Sequence, residues 1–190
     1  TKVCRDIQFF VVNKLSNWYV RLSRRKFWKG EYNESKVSAY QTLYECLEKI
    51  AIISSPVIPF YSNRLFNDLN KISKRHKIES VHLASFPNAS LEIINKKLEN
   101  QMSIAQEITS MILSLRKQEK IRVRQPLPRA LVPVNDKLTY DNIMEVKTLI
   151  EEETNIKELK VIDEKSGFFV KKIKPNFRVL GPKYGEKISK

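Results

Sequence analysis

The chain has 190 residues, 42% of them hydrophobic, which is enough apolar surface for a core and excludes a disordered protein. Four glycines are too few for a turn-rich all-β fold or for glycine-rich phosphate loops. A balance of 35 basic against 21 acidic residues gives a net charge of +14, which favours polyanionic partners and salt-sensitive binding.

The first helix is expected to run from the N-terminus to about Phe27. Ile7, Val11, Leu15, Trp18 and Leu22 recur every three or four residues, the spacing of a buried stripe. At ~100° per residue, Asn17, Arg21, Arg24 and Trp28 fall within roughly 40° of one another, and roughly 100–160° from that stripe. Arginine offers planar donors to phosphate, asparagine a donor–acceptor pair to a base edge, and an indole a stacking plate. The competing reading is a solvated basic helix end, with the tryptophan as a lid on the core.

Gly30 and Asn33 break this helix, and a second begins near Ser35, carrying Val37, Tyr40, Leu43, Tyr44, Leu47, Ile50 and Ala51 on one stripe. Pro56 stops it, and Pro59 opens a third helix from Phe60 to about Asn70. Residues 71–88 read as a polar connection with a solvated Lys74-Arg75-His76-Lys77 run, in which His82 is a hydrogen-bonded structural residue. A long helix capped by Asn88 or Ser90 follows, and its seam from Leu91 through Gln101 to Leu115 is expected to pack on the first two helices.

After Lys120 the pattern changes. Ile121, Val123 and Gln125 alternate with Arg122 and Arg124, which predicts a strand with both arginines on one face. Arg129–Val134 reads as a second strand, 139–153 as a helix with Asn155 as its left-handed terminus, and 158–162 and 168–173 as further strands. The expected fold is mainly α: an antiparallel helix bundle over residues 1–120, followed by a small α+β subdomain over 121–190. A second basic cluster, Lys171 to Arg178 around Phe177, fits backbone contact with stacking and equally a solvated basic tail.

No catalytic group stands out. Cys4 and Cys46 lie far apart and read as free buried thiols of a cytoplasmic protein; with only His76 and His82, no metal site is expected. The Glu151-Glu152-Glu153 trio reads as solvated surface at a helix end. No apolar run approaches the ~20 residues that span a bilayer, so no membrane partner is expected. The chain opens inside what reads as a helix, as an excised piece would.

Several motifs, in order, carry a resemblance. They are Leu15-Ser16-Asn17-Trp18-Tyr19-Val20-Arg21 with Ser23-Arg24-Arg25-Lys26-Phe27-Trp28, then Ala39-Tyr40 with Thr42-Leu43-Tyr44-Glu45, and Ser55-Pro56-Val57-Ile58-Pro59-Phe60. Ser80-Val81-His82-Leu83 before Phe86-Pro87, Ile121-Arg122-Val123-Arg124-Gln125-Pro126-Leu127, and Lys174-Pro175-Asn176-Phe177 with Leu180-Gly181-Pro182-Lys183 follow. Together they resemble the anticodon-binding region of isoleucyl-tRNA synthetases, over nearly the whole chain. The resemblance implies a cytoplasmic, monomeric parent enzyme that joins isoleucine to tRNA using ATP and magnesium. The two catalytic signatures of that class are absent here, so the piece would hold the anticodon stem, with no catalytic residue, metal or cofactor of its own. Catalysis and editing would fall to other domains of the same polypeptide, and the chain would end inside a further C-terminal module. The expected tRNA-binding residues are Asn17, Arg21, Arg24, Arg25 and Trp28, with Arg122, Arg124, Lys174, Asn176 and Arg178 as a second wall. The alternatives are the anticodon region of a valyl-type synthetase, or a basic helical module that meets an acidic protein.

Overall fold

The computed structural model describes residues 2–163. It is mainly α with a small α+β part, and it divides between Asn95 and Lys96 into two compact units.

In the first unit, α1 (Lys2–Phe9) does not continue as a regular helix. Its hydrogen bonds relax to the wider i→i+5 pattern over Phe10–Val20, and the chain then breaks at Ser23 (φ −82°, ψ 0°) before the short α2 (Arg24–Trp28). The expected single helix is thus three pieces. Gly30, at φ 87°, turns the chain out of α2. Asn33 then caps α3 (Glu34–Ser54), its Oδ1 accepting from the Lys36 N–H at 2.9 Å. Pro59 occupies the first turn of α4 (Pro59–Ser73), where its missing N–H costs nothing.

The core of this unit is Ala51, Ile52, Phe66 and Val81, with Leu65, Ile78 and Ala84 packed around it. Two asparagines of α4 bind the chain that returns over it. Asn70 exchanges two hydrogen bonds with the His76 backbone, and Asn63 Oδ1 accepts from Val81 N and Ser80 Oγ. The Lys74–Lys77 run is a loop with Lys74, Arg75 and Lys77 exposed, as expected, but it is anchored at the half-buried His76. His76 Nε2 lies 2.9 Å from Glu48 Oε1, the Tyr44 hydroxyl donates to the same carboxylate, and Arg75 lies over the Tyr44 ring. His82, expected to be the hydrogen-bonded histidine, is instead exposed in a single 3₁₀ turn, Val81–Leu83.

In the second unit, α5 (Lys96–Gln118) packs along α6 (Lys137–Thr154). It starts later than expected, because Ser90 opens only a 3₁₀ turn, Leu91–Ile93. Gln101, Ala105 and Ile108 are buried as the seam predicts, whereas Leu91, Leu98 and Leu115 are exposed. Strands β1 (Ala130–Val134) and β2 (Leu159–Asp163) pair in parallel, Val132 opposite Val161, with α6 as the crossover that parallel strands require. Asn155 ends α6 in the left-handed region (φ 52°), as the sequence predicts. The expected strand at 168–173 lies outside the described residues. Glu151 is not a solvated acid, since its Oε1 accepts the Leu159 N–H at 2.7 Å and thereby starts β2.

Two carboxylates of this unit give it an acid limit. The Thr139 N–H, donated to Asp136 at the start of α6, holds that carboxyl below its ordinary range, and a hydrogen bond from Arg129 does the same for Glu158. A pKa depressed by folding gives stability above the ordinary carboxylate range that is lost as pH falls through it. Urea midpoints should therefore stay flat from pH ~7 to ~5 and fall below pH ~4. Asp136→Asn keeps the capping oxygen and should flatten part of that fall.

Candidate nucleic-acid interface

The stretch from Leu15 to Trp28 sorts its side chains as the apolar stripe demands. Leu15 and Trp18 are buried, at 5% and 8% exposure, while Asn17, Arg21, Arg24 and Arg25 are exposed and Trp28 is 80% exposed. The two indoles have opposite fates ten positions apart. Trp18 is core; Trp28 is open to solvent.

What holds Trp28 outward is its neighbour. The Phe27 ring meets the Tyr40 ring of α3 with centroids 5.0 Å apart, and the Tyr40 hydroxyl donates to the Phe27 carbonyl at 3.0 Å. The Tyr19 hydroxyl donates to the Ala39 carbonyl at 3.0 Å, tying the preceding turn to the same part of α3. With Phe27 turned in, Trp28 and the two arginines before it have no route to the core. One part of the expectation fails. The shared face of Asn17, Arg21, Arg24 and Trp28 assumed a constant step per residue, and neither the wide winding up to Val20 nor the break at Ser23 keeps one.

The electrostatics of this stretch are of one sign. Between Asp6 and Glu31 the chain carries Lys14, Arg21, Arg24, Arg25, Lys26 and Lys29, with no carboxylate. An exposed indole beside a run of exposed cations can stack a base and attract its phosphates.

Arg122 and Arg124, in the second unit, are exposed, but not on a strand. Residues 121–125 form a turn in which Gln125 N–H donates to the Arg122 carbonyl at 3.0 Å. The physical reason lies at Arg116, a residue the sequence reading passed over. Its guanidinium, 3% exposed, donates through Nη1 to the carbonyls of Arg122 (3.2 Å) and Gln125 (3.0 Å), and through Nη2 to that of Asn155 (3.0 Å). Carbonyls drawn inward to a buried cation cannot form a ladder, and Pro126 and Pro128 lack the N–H to continue one. The only local signal was a basic residue on the apolar side of a helix end. Lys174, Asn176 and Arg178 lie outside the described residues.

Among the described residues, no group of three or more His, Cys, Asp or Glu side chains could hold a metal ion, and no helix is long and apolar enough to cross a membrane. Neither Cys4 nor Cys46 forms a disulfide; both are half-buried, and burial pushes the Cys46 thiol up.

Comparison with known proteins gives this geometry a class. Residues 1–131 match the family described as the anticodon-binding domain of tRNA ligase, and the chain belongs to that family. Its relatives are isoleucine–tRNA ligases: that of Cytophaga hutchinsonii is 51% identical over 99% of this chain, that of Bacteroides fragilis 48% over 99%, and that of Porphyromonas gingivalis 46% over 98%. The chain spans only 16–17% of the length of these relatives.

Proposed function

We propose that the chain is the part of an isoleucine–tRNA ligase that grips the anticodon stem and loop of the isoleucine tRNA. The observation that carries this reading is Trp28, a large indole left in solvent among arginines and fixed there by the Phe27–Tyr40 contact. Lysines and arginines attract the phosphate backbone without regard to sequence, and bases splayed from the loop stack on the exposed plate. A stacked base contributes about 1–3 kcal/mol, and each phosphate contact adds salt-dependent affinity. Asn17, Arg21, Arg24 and Arg25 act with Trp28, Arg122 and Arg124 act from their turn, and Lys174, Asn176 and Arg178 complete the proposed set of RNA contacts.

In this reading the chain takes no part in bond making. The whole polypeptide, a cytoplasmic monomer, activates isoleucine with ATP and magnesium in other domains. The names of the relatives favour isoleucine over valine, and the exposed Trp28, a plate on which a base can stack, favours RNA over an acidic protein.

The test uses the polypeptide that carries this chain. Trp28→Ala and Arg21→Ala should each lower the rate of tRNA charging at limiting tRNA by roughly 5- to 50-fold, in line with the loss of a stacked base or charged contact, while isoleucine-dependent ATP–pyrophosphate exchange is unchanged. An equal loss in both reactions would refute a purely recognitional role. If Trp28 were a structural lid, Trp28→Ala would instead lower the melting temperature.

A further inference from the structure

Arg116 is an expensive way to close a helix end. A buried cation often gives no more stability than an apolar residue of similar volume. Here its geometry has one visible result. The guanidinium gathers the carbonyls of Arg122, Gln125 and Asn155, and the Asn155 side-chain amide takes the Val123 carbonyl at 2.9 Å. The carbonyls of Arg122, Gln125 and Asn155 face the buried guanidinium, the Val123 carbonyl is held at the surface, and the side chains of Arg122 and Arg124 are left exposed. The end of the turn is pinned as well: Leu127 N–H donates to the Asn155 carbonyl at 3.1 Å, and Lys157 N–H to the Leu127 carbonyl at 2.9 Å.

We infer that Arg116 is a positioning residue for RNA: clasped with Asn155 under the 121–127 turn, it presents Arg122 and Arg124 together to the phosphate backbone. This inference rests on the proposed anticodon-stem function. The planar guanidinium spreads its donors over Nη1 and Nη2 and so reaches carbonyls on both sides of the turn, whereas a lysine must reach them from a single nitrogen. Held in one arrangement, the two arginines lose little further freedom on meeting phosphate.

The experiment measures tRNA binding to the whole polypeptide across a salt series, for Arg116→Met, Arg116→Lys, Asn155→Gly, the Arg122→Ala/Arg124→Ala pair, and that pair combined with Arg116→Met. Glycine at 155 keeps the left-handed backbone and removes only the clasp on Val123, so this variant tests the idea even if Arg116→Met fails to fold. Arg116→Met should weaken binding roughly tenfold at low salt and lower the slope of log affinity against log salt by about 1–2, as loss of one or two phosphate contacts does. Arg116→Lys should recover part of the loss, Asn155→Gly should show a smaller loss of the same kind, and Arg116→Met should add nothing to the Arg122/Arg124 pair. An unchanged salt slope in Arg116→Met and Asn155→Gly, or a full additional loss on top of the pair, would overturn the inference. If the pair itself left tRNA binding untouched, the functional reading of this turn would fail instead.

Discussion

Phe66→Ala should cost the first unit about 3–5 kcal/mol, the largest stability effect expected from a single truncation in this chain. Phe66 is 1% exposed and central to the cluster of Ala51, Ile52 and Val81. Its ring also lies against the His76 imidazole, with centroids 5.0 Å apart, so its removal opens a cavity under the residues that hold the 74–81 return. That return is fixed by polar groups, namely Asn63, Asn70 and Glu48, whose hydrogen bonds need the backbone held in place. Collapse into the cavity would displace them, so little of the cost should be recovered by relaxation. Urea unfolding followed through the buried Trp18 would measure it. Phe66→Leu keeps most of the volume and should lose less than half as much.

The pair Arg24→Glu and Arg25→Glu should have the largest effect on binding. Each reversal removes an attraction to phosphate and adds a repulsion, in a stretch with no acidic residue between Asp6 and Glu31 to soften the change. At ~50 mM salt the double variant should bind tRNA about 30- to 100-fold more weakly, and the deficit should shrink severalfold at ~0.3 M salt as screening rises. Both arginines are exposed, so melting temperature should hardly move. A comparable loss that did not respond to salt would point to altered folding and not to lost phosphate contacts.

Much of this arrangement was legible because it is local. The proline opening α4 and the left-handed Asn155 each follow from one residue's own chemistry. The burial of Trp18 followed from the period of the apolar stripe, whereas the exposure of Trp28 is decided by the Phe27–Tyr40 contact across to α3. What could not be read depends on partners distant in the chain. Alternation at 121–125 looked like a strand, because nothing nearby reveals that Arg116 and Asn155 consume its carbonyls. His76, not His82, is fixed, because its acceptor Glu48 lies 28 positions away. The wide winding from Phe10 to Val20 left no mark in the spacing either: a stripe every three or four residues suits an α-helix, and the pattern does not register a local change in hydrogen bonding.

The account depends most on Trp28 meeting RNA, and its own fluorescence can report this. Subtracting the tRNA-induced emission change of a Trp28→Phe polypeptide from that of the unaltered protein isolates the response of this one indole. Stacking on a base predicts strong, saturable quenching that a salt rise reverses along with binding. The same emission from Trp28 in the free and the tRNA-saturated protein would contradict the account.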